Sequence, residues 1–131
     1  MVKLAVFVLA DIESHGELGR LVNALVAVKE AKEAGDPVAL VFDGAGTRWP
    51  GALADPAHPA HLLYKAVRDQ STGVCRFCAD AFGVAEQIRR EGLPLLDQYD
   101  QHPSLRSYLA SENLSHDLMS VAGREKDSLP A

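Results

Sequence analysis

Apolar runs alternate with amphipathic segments along most of the chain. Residues 2–9 (VKLAVFVL) and 37–42 (PVALVF) are almost unbroken apolar runs rich in β-branched residues. Such runs are typical of strands that are covered on both faces of a parallel sheet. Between them, residues 16–34 repeat apolar side chains at helical spacing and end at Gly35, which predicts an amphipathic helix with a glycine stop.

The same alternation continues, less regularly, toward residue 110. Residues 44–59 are rich in Gly and Pro and predict a long loop. After it we predict a helix over 60–70, a short strand over 73–75, a helix over 78–91, a weak strand over 93–96 and a short helix over 103–110. This order predicts an α/β fold of three layers, α/β/α, around a central, mainly parallel sheet.

The chain is predicted to hold one domain. Its 131 residues and its apolar share of 47% suit a single hydrophobic core. We assign residues 1–111 to the α/β domain. Past Ser111 the pattern fades, and the polar residues 112–131 are expected to be a disordered tail or a divergent last element.

Composition and charge exclude several classes of function. The net charge of −5, with Lys and Arg scattered, argues against a nucleic-acid partner. No apolar run is long enough for a membrane span, and the N-terminal run lacks the features of a signal peptide. Two cysteines do not make a disulfide framework, so we expect reduced thiols and a cytoplasmic location.

The segment with candidate chemistry is GVCRFCADAFG, residues 73–83. Cys75 is predicted to lie where a strand ends and a helix begins, at the edge of the sheet where ligands gather. A helix start favours an anion, so we expect a lowered pKa for the Cys75 thiol, with Arg76 adding to the effect. Cys78, one turn further, is a secondary candidate that either attacks sulfur on Cys75 or fills the core. Packing is an equally ordinary role for Cys75 itself.

Two more residues are predicted to face the same edge of the sheet. Asp43 follows the second strand, and His102 precedes Pro103, so with Arg76 they are candidate pocket residues around Cys75. His102 either acts as a proton partner of the thiol or only begins a helix.

Metal and cofactor sites are not expected. His58 and His61 have helical spacing and could join the two cysteines in a zinc site, but we interpret them as surface histidines at a helix start. Neither a dinucleotide fingerprint nor a phosphate loop is present. FMN is disfavoured because Asp11 and Glu13 in the turn after the first strand would repel its phosphate.

Several segments in order resemble the DsrE/DsrF family, which includes the sulfur-relay, Tus-type carriers and many uncharacterised small proteins. The similar features are the first strand, the helix ending at Ala34-Gly35, the strand running into VFDGAG, and Val74-Cys75 followed by Gly83. The stretch LLDQYDQHPSLRSYL, residues 95–109, is similar to a GHPSLxxL-type segment of the uncharacterised branch. The resemblance covers residues 2–111.

This resemblance implies a flavodoxin-like fold, a homo-oligomer (trimer or hexamer) and transfer of sulfane sulfur without a cofactor. Cys75 matches the cysteine that carries the persulfide between donor and acceptor proteins, and Cys78 matches a second cysteine of some branches. Relatives continue from the HPSL-like segment into a β-rich strand, whereas this chain reads ASENLSHDLMSV. We therefore expect the last strand to be missing, shifted or replaced, and residues 44–59 to shape a separate pocket.

Three functions follow as hypotheses. The first is a sulfur carrier, sulfurtransferase-like if active, that holds a persulfide on Cys75. The second is a non-catalytic oligomeric binding module of the same fold. The third is a dithiol redox protein that uses Cys75 and Cys78.

Overall fold

Five strands form one parallel sheet. The computed structural model of the chain describes residues 2–110 and the backbone of residues 117–121. The strands are β1 (Leu4–Val8), β2 (Val38–Phe42), β3 (Ser71–Cys75), β4 (Leu95–Leu96) and β5 (Asp117–Val121), in the order β4-β3-β2-β1-β5 across the sheet. Each neighbouring pair is parallel. The predicted α/β class with a central parallel sheet is confirmed.

One helix, α1, is long, and the other described helices are short. The α-helices are α1 (His15–Glu33), α2 (Trp49–Leu53), α3 (His61–Val67), α4 (Arg76–Ala81), α5 (Ala85–Arg90) and α6 (Leu105–Ala110), and 3-10 helices cover Gly44–Arg48 and Arg68–Gln70. The N-cap of α1 is Ser14, whose Oγ accepts a hydrogen bond from the backbone N–H of Glu17 at 3.2 Å. This cap fixes the helix start one residue before the predicted one.

Alternate residues of the strands enter two separate cores. Val6, Leu40 and Val74 point to a large core on one face of the sheet, which helices α1 to α5 supply with buried side chains. Phe7 and Val41 point to the other face, where Tyr108 of α6 covers them. From β1 to β4 each strand is added on the same side of the previous one, and the chain then crosses back to place β5 next to β1. Because all these crossovers are right-handed, the change of direction puts α6 on the face of the sheet opposite to the other helices. This arrangement gives the three predicted layers.

Two predicted elements are corrected. The long loop over residues 44–59 contains the 3-10 helix Gly44–Arg48 and α2, and Trp49 of α2 is buried with its Nε1 donating to the Ala10 carbonyl at 2.7 Å. The single helix predicted over 78–91 is the pair α4 and α5, because Gly83 takes a left-handed φ of 72° that ends α4.

A fifth strand lies in a stretch that has no β-rich pattern. β5 pairs in parallel with β1 over its full length, from Leu4 opposite Asp117 to Val8 opposite Val121. A last strand is therefore present, which excludes a missing strand and leaves the shifted or replaced strand of the three expected alternatives. The other residues of the predicted tail lie outside the described part of the chain. No helix among the described residues is long and apolar enough to cross a membrane.

Candidate functional site

The chain continues in opposite directions from the carboxyl ends of β3 and β4. The chain leaves β3 toward α4 on one face of the sheet, whereas after β4 it leads to α6 on the other face. Neighbouring strands whose continuations diverge in this way leave a cleft at their carboxyl ends, where ligands of parallel sheets bind. Cys75, the last residue of β3, and His102, from the loop after β4, meet there.

Four side chains from four different segments converge at this crevice. The Cys75 Sγ lies 3.2 Å from the His102 Nδ1. One side-chain nitrogen, oxygen or sulfur atom from each of Asp43, Cys75, Cys78 and His102 lies within 4.8 Å of the others. We call these four residues the thiol cluster. All four residues are candidates predicted from the sequence, whereas the zinc alternative grouped the cysteines with His58 and His61, which are not members of the cluster.

Cys75 caps α4 with its own sulfur. Its side chain accepts a hydrogen bond from the backbone N–H of Cys78 at 3.4 Å, and its residue surface is 0% exposed. Burial, which strips water from the ionised form, raises the pKa of the Cys75 thiol to about 12, and the negative charge of Asp43 also raises it. The predicted lowering of the Cys75 pKa is therefore wrong. The start of a six-residue helix and one hydrogen bond from a backbone N–H stabilise the Cys75 thiolate less than the loss of water destabilises it.

Cys78 lies on the first turn of α4 and is only partly buried. Burial raises the pKa of the Cys78 thiol as well, and its hydrogen bond to Asp43 has the same direction. Both cysteines are free thiols. The cluster therefore holds two neutral, adjacent thiol groups at neutral pH.

A strained turn carries His102 into the cluster. Tyr99 and His102 exchange two backbone hydrogen bonds, of 3.0 and 2.7 Å, around Asp100 and Gln101, whose φ angles are 47° and 65°. Two successive left-handed residues mark a type I′ turn, which usually contains Asn or Gly. The Gln101 carbonyl accepts a hydrogen bond from the Phe77 N–H at 2.9 Å, which ties the turn to α4.

The Phe77 ring fixes the plane of the His102 imidazole. The two ring centroids are 4.8 Å apart with 35° between the planes. Phe77 itself is half exposed, so the ring lies at the mouth of the cluster. Sequence analysis missed this role, because an aromatic residue between two cysteines has no pattern that indicates a histidine partner.

Asp43 reaches the cluster from the end of β2. Its backbone N–H donates to the Val8 carbonyl at 2.9 Å, and its Oδ1 accepts from the Gly44 N–H at 2.8 Å, so it caps the 3-10 helix Gly44–Arg48. That helix lies close to β1, because a Cβ built on Gly46 would be only 2.1 Å from the Val8 carbonyl oxygen. Glycine at position 46 therefore allows the Asp43 cap to approach the sheet.

Gly73 sets the distance between β3 and β4. A Cβ at this position would lie 2.7 Å from Leu96 Cγ and 2.9 Å from the Pro94 carbonyl oxygen. The register with β2 also shifts here, since Leu40 pairs with Ser71 but Val41 pairs with Gly73. The glycine at this bulge lets β4 close on β3, and so brings the turn with His102 over Cys75.

The remaining candidate, Arg76, and the two histidines of the rejected zinc alternative, His58 and His61, lie apart from the thiol cluster. Arg76 directs its guanidinium to Asp97, 3.3 Å away, on the surface. His58 accepts from the Ala60 N–H at 3.0 Å and stacks edge-on with Trp49, while the His61 Nδ1 lies 2.7 Å from the Leu53 carbonyl. Neither histidine joins the cysteines. The expected separate pocket is present, since Trp49 and His58 line one together with residues 12–15 and Leu18.

One comparison with known proteins identifies a relative. The uncharacterized protein MJ0733 of Methanocaldococcus jannaschii is 33% identical over 89 residues, which make up 68% of this chain and 72% of the archaeal protein. The chain belongs to the family of that archaeal protein. No family model matches the chain. No solved structure matches it either. The relative's name states no activity, so the chemistry of this family has to be argued from the site.

Proposed function

We propose that this protein is a DsrE-type sulfur carrier that holds sulfane sulfur as a persulfide on Cys75. The observation that supports this most is the contact of 3.2 Å between the Cys75 Sγ and the His102 Nδ1. A buried thiol needs a base at hydrogen-bond distance to become a nucleophile, and a neutral imidazole is such a base. The resemblance of residues 2–111 to the DsrE/DsrF family is the reason for proposing transfer of sulfane sulfur as the reaction.

The transfer needs no oxidant and no cofactor. The proton of the Cys75 thiol moves to His102, and the thiolate attacks the outer sulfur of a donor persulfide, R–S–SH. The donor S–S bond breaks as the new Cys75 S–S bond forms, and the donor thiolate recovers the proton from the imidazolium. The products are R–SH and the Cys75 persulfide. In the second transfer an acceptor thiolate attacks the outer sulfur of this persulfide, the S–S bond to Cys75 breaks, and the Cys75 thiolate takes up the proton that the acceptor thiol lost.

Access to Cys75 requires that the loop after β4 moves. His102, the last residue of the turn Tyr99–His102, contacts the buried sulfur, and Tyr99, Asp100 and Gln101 are exposed. The turn is held to α4 by the bond between Phe77 and Gln101 and is strained at two positions. Transient opening of this loop would admit a donor persulfide to the cluster, and the closed loop would slow the loss of the Cys75 persulfide to water and small thiols at other times.

The proposal includes a homo-oligomer, a trimer or hexamer, in the cytoplasm. Phe77, Tyr99 and Phe82 are large apolar side chains with 50%, 68% and 43% exposure. Phe77 and Tyr99 both contact His102, so a second subunit or a donor protein that covers them would complete the site. Free thiols at both cysteines suit a reducing compartment.

The test is sulfur loading followed by intact mass measurement. The reduced protein is incubated with glutathione persulfide in the presence of a metal chelator. We expect a gain of one sulfur atom in the wild type and in Cys78→Ser, and no gain in Cys75→Ser. His102→Gln should load more slowly than His61→Gln, which changes a histidine outside the cluster. A gain that persists in Cys75→Ser, or no gain in the wild type, would contradict the proposal.

The burial of Cys75 favours a second candidate, the non-catalytic binding module. A thiol with 0% exposure and a pKa of about 12 is inert in the resting protein. If donor proteins leave Cys75 unmodified and the chain still forms a defined oligomer, this second function replaces the first. The dithiol alternative predicts a different mass, the loss of two hydrogen atoms on mild oxidation, since the two thiols are close neighbours.

A further inference from the structure

The thiol cluster has the donor atoms of a metal centre. Two thiol sulfurs, one imidazole nitrogen and one carboxylate oxygen approach within 4.8 Å of one another. Thiolate and imidazole ligands together favour Zn²⁺ over Mg²⁺ or Ca²⁺, which prefer oxygen. The sequence predicts no metal, and the zinc alternative considered there grouped the cysteines with His58 and His61, which do not belong to the thiol cluster.

The spacing is close to that of a four-coordinate site. With Zn–S near 2.3 Å and Zn–N near 2.0 Å, neighbouring ligand atoms of a tetrahedron lie about 3.5 Å apart. The Cys75 Sγ and His102 Nδ1 are already 3.2 Å apart, and the remaining pairs lie within 4.8 Å. Side-chain movements of about 1 Å would therefore bring all four atoms to one centre.

The ligands are held in place by groups that do not themselves bind. The Gly44 N–H fixes one oxygen of Asp43, the Phe77 ring fixes the His102 plane, and the Cys78 N–H donates to the Cys75 sulfur. Supporting contacts of this kind orient metal ligands and stabilise thiolates. The four residues come from the ends of β2 and β3, from α4 and from the turn after β4. A cation there would join four segments that are distant in sequence.

We propose that Asp43, Cys75, Cys78 and His102 form a closed, four-ligand site for Zn²⁺. On binding, the two thiols release two protons and become thiolates, while Asp43 and His102 contribute an oxygen and a nitrogen lone pair. No oxidation or reduction is involved. Four protein ligands leave no open position for water or substrate, as in structural zinc sites.

This site goes beyond the sulfur-carrier proposal and does not depend on it. Metal and sulfane sulfur would compete for the same Cys75 atom, so a zinc-loaded chain could not carry a persulfide. The cation would add a bond that holds the loop with His102 in its closed position.

The experiment uses the full chain, reduced, freed of metal with a chelator and then titrated with Co²⁺ and with Zn²⁺. Cobalt bound by thiolates in a tetrahedral site gives strong sulfur-to-metal charge-transfer and visible absorption bands. We expect these bands at one Co²⁺ per chain, their loss on addition of one Zn²⁺, and a rise of the unfolding temperature with Zn²⁺ concentration.

Single substitutions test three of the four ligands. Cys78→Ser and Asp43→Asn change partly buried residues and are expected to fold, whereas Cys75→Ser changes a fully buried one. Each should weaken zinc binding by more than the roughly 10- to 100-fold that loss of a supporting contact costs. His61→Gln and Asp97→Asn change a histidine and an acid outside the cluster and should bind as the wild type does.

Several results would overturn the site. These are cobalt spectra without a thiolate band, equal zinc affinity for Cys78→Ser and the wild type, or a loss of affinity in His61→Gln. The outcome stays distinct from the sulfur test, because sulfur loading is measured with chelator present. A chain that loads sulfur but shows no cobalt band would support the carrier function and overturn the metal site. A chain that shows the cobalt band but loads no sulfur would support the metal site and overturn the carrier function.

Discussion

The two ends of β3 differ in how far their polar side chains are exposed to water. At the amino end, Lys32 pairs with Asp69 at 2.9 Å and Arg68 with Glu91 at 3.8 Å, and three of these four side chains are well exposed. At the carboxyl end, Cys75 is fully buried and the other members of the thiol cluster are partly buried, and the two cysteines carry no charge at neutral pH. Exposed ion pairs are worth little and are satisfied by water when broken. Groups that share a dry space instead set one another's protonation, so the carboxyl end is where chemistry can be controlled.

The largest effect expected from this difference concerns the rate of alkylation of Cys75. Its pKa of about 12, against an ordinary 9.0, makes its thiolate fraction at neutral pH about a thousandfold smaller than that of a free thiol. Burial slows the reaction further. We expect iodoacetamide to modify Cys75 at least about a thousandfold more slowly than a small free thiol, with a rate that rises about tenfold per pH unit through pH 10.

Peptide mass spectrometry measures Cys75 and Cys78 in the same sample. Cys78 is the internal comparison, because it is partly exposed and should react first. In denaturant the two cysteines should react alike. Fast alkylation of Cys75 in the folded chain would mean that the loop after β4 is already open, and the contrast between the two ends of β3 would not hold.

A smaller but global effect is expected from Gly73→Ala, which pushes β4 away from β3. The new methyl group would meet Leu96 and the Pro94 carbonyl oxygen at 2.7 and 2.9 Å, and a backbone oxygen cannot turn aside. We expect the free energy of unfolding to fall by about 3 kcal/mol. Because the turn with His102 follows β4, Cys75 should also be alkylated faster than in the wild type.

Urea unfolding measures the loss, with Gly19→Ala as the matched control. Gly19 lies in α1, and a Cβ there would meet no atom within 4 Å, so alanine should raise stability by up to about 1 kcal/mol. If Gly73→Ala leaves both stability and alkylation unchanged, the close approach of β4 is not what holds the cluster together.

The sequence predicts the regular elements of the fold better than it predicts the contacts within the thiol cluster. Apolar runs and helical spacing were enough for β1, α1 and β2, because buried parallel strands and an amphipathic helix leave unambiguous patterns. Asp43, Cys75 and His102 were predicted to share an edge, since parallel strands bring their carboxyl ends together. Their contacts depend on features without a sequence signal, namely the turn at Asp100-Gln101, which lacks the usual Gly, and the close approach at Gly73.

Errors in the prediction have a common physical source. The Cys75 pKa was expected to fall because a helix start is visible in sequence, whereas burial, the larger effect, depends on the assembled fold. The fate of the last strand stayed open between missing, shifted and replaced because the residues DLMSV are only weakly apolar, and backbone pairing with β1 supplies what local propensity lacks.

The smallest predicted effect tests the amino end, where Tyr64 of α3 is buried. Its hydroxyl has no hydrogen-bond partner among the described residues, and burial raises its pKa to about 12, with Arg68 and Glu91 as the charges that act on it. The unfolded chain ionises this tyrosine near pH 10, so between pH 10 and 12 the folded state keeps a proton that the unfolded state has lost. Stability is therefore complete below pH 10 and should fall by about 2 kcal/mol on going to pH 12.

Tyr64→Phe should remove this share of the pH dependence and leave stability at pH 7 equal or slightly higher, since it deletes an unpaired buried hydroxyl. Part of the alkaline loss should remain in the variant, because burial also raises the pKa of Tyr108 and of Cys75. Urea unfolding of both proteins from pH 7 to 12 gives the difference. Identical alkaline losses would mean that Tyr64 ionises as freely as a surface tyrosine, and that water reaches the amino end of β3 as it does the ion pairs around it.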